Sequence, residues 1–326
     1  MTMNYTLGFE YTSWSFYVEV ILSVIQVFGV IFNGFALILY CNYRELRTRP
    51  NYLTASLIVA DLLFCAGCLV IHIFNFTAGA APGVSGWDNI KCQFIGVWIM
   101  TTDASELGSL AAMAAERWFT IVKGITLSKW QVLSLVAGVW LWGGFMGGLQ
   151  YSFGGHYVLQ ASASYCVGQW HGHEAKQLIF TLLTFVTIVG SYIWFVYVYW
   201  SIYRHVKFVH ARMKSALDNG GLSDTTVSTD ERDFQIRLAI KSAILVGVFT
   251  ICWSPEHMYF LYEMISGRPA PAWLDSIGVI MLVLNAAVDP LVILMLDSRW
   301  KTASRSLLRL PEPTPRDVNR KSSKSG

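Results

Sequence analysis

Charge is scarce in this chain: 14% of its 326 residues are Asp, Glu, Lys or Arg, while 54% are hydrophobic. Soluble globular chains carry roughly a quarter charged residues, so a water-soluble domain, which could not hide this much apolar surface, is excluded. No cysteine follows Cys252, so no palmitoyl anchor is expected on the C-terminal tail. Residues 1–15 have no positive stretch leading into an apolar run, so the expectation is an uncleaved N-terminus with the first helix serving as anchor. No repeat and no second domain is visible. The net charge of +3 does not point to nucleic acid, since Lys and Arg cluster where they would face anionic lipid.

Apolar runs of about 20 residues, the length that crosses roughly 30 Å of hydrocarbon, recur along the chain. They predict an all-α protein with seven membrane-spanning helices near residues 16–41, 51–77, 92–122, 130–151, 177–205, 236–265 and 272–296. The chain then divides into an extracellular N-terminus (1–15), a seven-helix domain (16–296), a cytoplasmic amphipathic helix (297–310) and a disordered cytoplasmic tail (311–326). In the amphipathic segment Trp300, Ala303, Leu307 and Leu310 recur at helical spacing among basic residues, as in a helix lying on a membrane surface. Residues 211–233 are rich in Gly, Ser, Thr and Asp and read as a flexible loop.

Positive residues orient the bundle. With the first loop cytoplasmic, Arg44, Arg47, Arg49, Arg117, Lys123, Lys129, Arg204, Lys207, Arg237, Lys241 and the basic tail all fall inside, and only Lys91, Lys176 and Arg268 fall outside. The N-terminus is therefore expected outside a plasma membrane and the C-terminus in the cytosol. The sequons at Asn4 and Asn75 lie on the expected outer side and are candidate glycosylation sites.

Cys92 and Arg117 stand 25 residues apart in the third span, a rise of about 37 Å, on nearly the same helix face. One helix thus presents a thiol outside and a guanidinium inside. Cys92 and Cys166 lie on the oxidising side, whereas Cys41, Cys65, Cys68 and Cys252 sit in spans or near the cytosol, so a Cys92–Cys166 disulfide is the economical pairing; two unpaired thiols are the alternative.

Asn33, the segment LRTRPNYLTASLIVADLL containing Asp61, Cys92, Glu116-Arg117-Trp118, a fourth-helix Trp (Trp140 or Trp142), Cys252-Trp253-Ser254-Pro255 and Asp289-Pro290 follow one another along the chain. Their order and spacing resemble rhodopsin-like G-protein-coupled receptors over about residues 20–308, with an opsin-like or melatonin-receptor-like flavour. The resemblance implies a receptor that passes an extracellular signal to a heterotrimeric G protein, with arrestin as a further candidate partner and no catalysis. It gives Glu116, Arg117 and Trp118 with Tyr199 the role of a cytosolic switch. Pro255 becomes a kink below which the sixth helix swings outward, with Trp253 pushed by ligand, and Asp289-Pro290 the seventh-helix counterpart.

Departures from the family narrow the reading. The position of the opsin Schiff-base lysine is Val283, and no lysine lies between Lys241 and Lys301, so no covalent retinal is expected. The seventh-helix tyrosine is replaced by Ile293, the fifth-helix proline by Ser191, and the amine-binding aspartate of the third helix by Ile99. An acid at the inner end of the sixth helix commonly holds the switch arginine; Gln235 stands there, with Glu231 and Asp233 a turn away, which predicts a poorly locked resting state.

Two polar layers follow. Ile99, Asp103, Trp253, Glu256, His257 and Val283 are expected to line a pocket for a small molecule or peptide in the outer half, where a lone intramembrane acid such as Asp103 would meet a cationic or hydrogen-bonding ligand. Asn33, Asp61, Glu106 and Asp289 all lie about 15 to 17 Å from the cytosolic helix ends and share the midplane. Three bare carboxylates there would repel one another, so Asp61, Glu106 and Asp289 are expected either to hold Na⁺ or to keep at least one proton, unless they form a neutral packing cluster. His171, His173 and Glu174, with His156, are candidate zinc ligands, a solvated loop being the alternative. A cation transporter or channel, or a non-signalling scaffold, remain competing readings; a transporter would show inverted repeats with broken helices.

Overall fold

Thr12 starts the first helix by reciprocal capping: its hydroxyl accepts from the Ser15 amide and its amide donates to the Ser15 hydroxyl, both at 3.3 Å, so two orphan donors of the first turn are satisfied. In the computed structural model, which describes residues 12–77, 89–152, 156–168, 170, 175–218 and 226–309, this helix is α1 (Ser13–Asn42). It is followed by a 3₁₀ turn (Arg44–Leu46), α2 (Arg49–Thr77), α3 (Asn89–Val122) and α4 (Lys129–Ser152). A hairpin of β1 (Tyr157–Leu159) and β2 (Cys166–Gly168) precedes α5 (Ala175–Asp218), α6 (Thr226–Ser266), α7 (Ala272–Leu296) and the short α8 (Ser298–Leu307).

Six of the described helices are long and apolar enough to cross a membrane. Their outward faces carry large exposed apolar side chains, among them Val24 and Ile31 on α1, Val196 on α5 and Ile251 on α6, as expected where lipid is the solvent. The seventh, α3, is 34 residues long but carries Asp103, Glu106, Glu116 and Arg117, all buried. It tolerates them because it packs against α2, α4, α5, α6 and both hairpin strands, so these groups face protein and not hydrocarbon.

Close approach of α3 and α4 rests on Gly143 and Gly147, one helical turn apart. A Cβ on Gly147 would come within 2.7 Å of the Val97 carbonyl, and one on Gly143 within 2.6 Å of the Thr101 carbonyl. Small residues at this spacing let two backbones meet. Replacing Gly147 by Leu is expected to force the helices apart at a cost of about 1 to 3 kcal/mol, read as a drop of several degrees in the melting temperature of detergent-solubilised protein.

Two expectations change, and one connection has structure of its own. The segment 211–233 is not a continuous loop: α5 runs to Asp218 and α6 begins at Thr226, because Ala, Lys, Leu, Arg and Gln in its flanks favour helix and the breakers are confined to the Asn219-Gly220-Gly221 stretch. The loop between α4 and α5 forms a two-stranded antiparallel ribbon with Tyr157 opposite Gly168. Finally α8 ends at Leu307, and its Trp300 is buried in the protein, stacked on Tyr40 of α1 with ring centroids 6.5 Å apart. Its apolar face thus docks on the bundle in addition to facing lipid.

Candidate functional site

The hairpin is seated on α3 by a disulfide and by a side chain that imitates a strand. Cys92 at the outer end of α3 is bonded to Cys166 of β2. From the very next residue, the Gln93 carboxamide donates to the Tyr157 carbonyl and accepts from the Tyr157 amide, both at 2.9 Å. Tyr157 lies over Gly96, where a Cβ would collide with its ring, and donates its hydroxyl to the Gly147 carbonyl at 2.6 Å. Burial pushes the Tyr157 phenol above its usual range, so it remains a donor at any physiological pH.

The far end of the hairpin reaches α6 and α7. The Tyr165 hydroxyl lies 2.6 Å from Asp275 Oδ1 and 3.3 Å from Glu256 Oε1, and the Ser162 amide donates to Asp275 Oδ2 at 2.5 Å. Burial, then the neighbouring Asp275 and Glu256 carboxyls, push the Tyr165 phenol well up, keeping it protonated as the donor both acids share. Tyr259 of α6 pairs with Gln160.

Beneath this cover lies a cavity bordered by Ile99, Asp103, Trp253, Glu256, His257 and Val283, together with Ser164, Tyr165 and Trp170 from the α4–α5 connection. Among the described residues, no Lys or Arg borders it. Asp103 is 8% exposed and its Oδ1 makes no hydrogen bond. His257 is engaged through Nδ1 with the Tyr192 hydroxyl at 2.9 Å, and its ring lies 5.5 Å from that of Trp253, which also stacks on Phe249 at 5.0 Å. The cavity extends toward α1 and α2, where His72 at its edge pairs with the fully buried Glu19 at 3.6 Å.

At mid-depth one oxygen each from Asp61, Glu106 and Asp289 can be chosen such that all lie within 4.8 Å of one another. Asn285 donates to Glu106 and, at 3.5 Å, to Asp289 Oδ2. Both oxygens of Asp61 and Oδ1 of Asp289 and of Asn285 are buried without a hydrogen-bond partner. Such orphaned acceptors are what a small hard cation or a retained proton would satisfy, so the residues fit either. The Asn33 amide is used elsewhere: it donates to the Gly29 and Ala286 carbonyls at 3.0 and 2.8 Å, tying α1 to α7. Trp140, and not the more exposed Trp142, takes the inward position on α4, donating to Ser56 at 3.1 Å.

At the cytosolic end Arg117 is buried and paired with Glu116 at 3.0 Å, and Thr120 donates to the other Glu116 oxygen at 3.4 Å. Trp118 donates to Ser201 of α5 at 3.1 Å, with Lys123 5.0 Å above its ring. The Tyr199 hydroxyl is buried on the same side of the bundle. Pro255 lies inside α6, and Asp289 and Pro290 inside α7. The Gln235, Glu231, Asp233 and Asn75 side chains, the sequon at Asn4 and the candidate zinc ligands His171, His173 and Glu174 lie outside the described residues.

Several residues were not anticipated. Asp275, Tyr165, Gln160 and Tyr259 meet only because the hairpin folds inward. Glu19 and His72 were not anticipated either, although an ionisable residue within an apolar span is a signal that could have found them.

Seven spanning helices, an inward-facing polar axis and a covered outer cavity define a transmembrane receptor. The family model for the seven-transmembrane receptors of the rhodopsin family matches residues 32–292, and the chain belongs to that family. Parapinopsin of Ictalurus punctatus is 24% identical over 262 residues, 77% of this chain and 69% of that protein. Bombesin receptor subtype-3 of Ovis aries is 21% identical over 321 residues, 90% of this chain and 76% of that one. Adenosine receptor A2b of Homo sapiens is 24% identical over 268 residues, covering 76% of each. The crystal structure of squid rhodopsin superposes with a TM-score of 0.80 at 16% identity, over 100% of this chain and 96% of that one; at that identity the likeness concerns the fold. The chain is a multi-pass G-protein-coupled receptor.

Proposed function

We propose that this receptor senses a cationic extracellular ligand in the outer cavity and passes the signal to a heterotrimeric G protein at Arg117. The observation that carries this reading is the cavity's charge: Asp103 and Glu256 border it, Asp103 has an unsatisfied buried oxygen, and no Lys or Arg among the described residues lines the cavity beside them. A buried acid without a partner favours a ligand that brings the opposite charge, and Trp253 and Trp170 offer aromatic faces to its apolar body. The N-terminus is outside and the C-terminus cytosolic on this reading, supported by the positive residues and by sequons on the outer side. Arrestin would share the cytosolic face. With Val283 at the lysine position, a retinal Schiff base has no amine to form on.

Glu116, Arg117, Trp118 and Tyr199 form the coupling end, with Pro255 and Asp289-Pro290 the hinge points above it. The midplane residues Asp61, Glu106 and Asp289 would hold Na⁺ or a proton and favour the resting arrangement. A cation transporter is the reading those acids raise in competition; the uninterrupted runs of α1 to α7 among the described residues speak against it.

Receptor-bearing membranes should be assayed for nucleotide exchange on a panel of heterotrimeric G proteins, using a series of arylalkyl amines, diamines and their N-acetylated counterparts. Amines are expected to stimulate exchange and the neutral amides to fail. Asp103→Asn should weaken the active amines about tenfold or more, as expected for a charged hydrogen bond in a dry site. Unchanged potency in that variant would count against a direct salt bridge.

A further inference from the structure

The buried lysine of α6 has a partner at the junction of two other helices. Lys241 is 6% exposed, and its Nζ lies 3.3 Å from Oδ2 of Asp297, the residue between α7 and α8. The same ammonium stands 5.9 Å from the centre of the fully buried Trp300 ring of α8, which in turn stacks on Tyr40 of α1. Asp297 meanwhile caps α8 through its other oxygen, which accepts from the Arg299 amide at 3.0 Å. At the same cytosolic level, Arg117 is paired within α3 to Glu116 at 3.0 Å.

We infer that Lys241 and Asp297 form the tether that holds the inner half of α6 against α7 and α8 in the resting receptor, making them positioning residues for G-protein coupling. Lys241 sits fourteen residues before Pro255, about 21 Å below the hinge, so an outward swing displaces it far more than residues near the kink. The swing must break the ion pair and lift the ammonium off the Trp300 ring together. Removing one partner leaves the other charge buried and uncompensated, which disfavours the closed arrangement further. The geometry also separates two roles of Asp297: Asn at that position would still cap α8 while losing the ion pair.

This inference rests on the reading that α6 movement admits the G protein, and the test separates the two. Basal nucleotide exchange and an intramolecular distance are measured on the same variants of the full chain. Spin labels are placed at Arg237→Cys on α6 and Arg305→Cys on α8, both exposed positions, in a background where the exposed Cys41 is replaced by Ser. Lys241→Met and Asp297→Asn are each expected to lengthen the label separation and to raise basal exchange about fivefold or more. The double variant should shift both readouts no further than either single one, since the pair is already lost and no uncompensated charge is left behind, and Lys241→Arg should keep wild-type values on both readouts. Label distances unchanged in Lys241→Met and Asp297→Asn, or additive effects in the double variant, would overturn the tether. Longer distances with flat exchange on every G protein would leave the tether standing and overturn the coupling reading instead. Should Lys241→Met fail to reach the surface, Asp297→Asn, with α8 still capped, decides the matter alone.

Discussion

Arg117→Ala should abolish most receptor-driven nucleotide exchange, a fall of about tenfold or more at matched surface expression, while ligand binding in the outer cavity persists. Arg117 is 4% exposed and held at 3.0 Å by Glu116, so in the resting arrangement its guanidinium is sequestered by a neighbour on its own helix. Opening the cytosolic cleft would free it for a new partner, which Ala cannot replace. The companion variant Glu116→Gln should move the other way: it weakens the resting pair without removing the guanidinium, and basal exchange is expected to rise several-fold. Opposite signs from adjacent residues would not arise from misfolding, which lowers both. A transporter would keep its ion flux in Arg117→Ala, and a scaffold would show no exchange in any variant, so the same assay divides the three readings.

A comparably large effect is expected at the midplane. In wild-type membranes, raising Na⁺ from a choline-substituted buffer to physiological concentration should lower basal exchange about fivefold or more, and lowering the pH at constant Na⁺ should act in the same direction. The reason is linkage: whatever neutralises Asp61, Glu106 and Asp289 while they lie within 4.8 Å of one another stabilises that arrangement and opposes any rearrangement that separates them. Sodium and agonist should therefore weaken each other's apparent affinity by the same factor. The Glu106→Ser/Asp289→Asn double variant leaves Asp61 as the lone acid of the group and should respond to neither titration as the wild type does. Identical Na⁺ and pH responses in wild type and double variant would reduce the cluster to a packing feature. Measuring the Na⁺ response at several fixed pH values tells ion from proton, because competition between them shifts the Na⁺ midpoint.

Much of this site was readable from spacing because a membrane helix is a ruler. Asp61, Glu106 and Asp289 could be placed at one depth from their distance in residues to the cytosolic ends, and the structure brings these three together. Asn33, at the same depth by the same count, is instead spent on the Gly29 and Ala286 carbonyls, since depth does not specify rotation about the helix axis. The six pocket candidates border one cavity for the same reason: three helices with known register converge on their outer halves.

The hairpin was not legible. Between Gln160 and Tyr165 the sequence has only Ala and Ser, and nothing local says that Tyr165 will turn inward to Glu256 and Asp275; that depends on Gly96 and Gln93 seating Tyr157 on α3. The segment 211–233 was misread because Ser, Thr and Asp lower helix propensity only weakly, and two long flanking helices extend through them.

By itself the sequence determined the class of protein, the number and depth of its spans, the disulfide and the excess of acid along the bundle axis, since each follows from hydrophobic length, helical rise and charge. Only the tertiary structure decided which of those charges meet. Lys241 counted in the sequence as one more cytosolic basic residue, yet it is buried beside Asp297 and Trp300. Glu19 and His72 lie on different helices 53 residues apart in the chain and face each other at 3.6 Å. Pairing of this kind depends on helix rotation and on packing between segments far apart in the chain, and a pattern read along one helix carries no information about either.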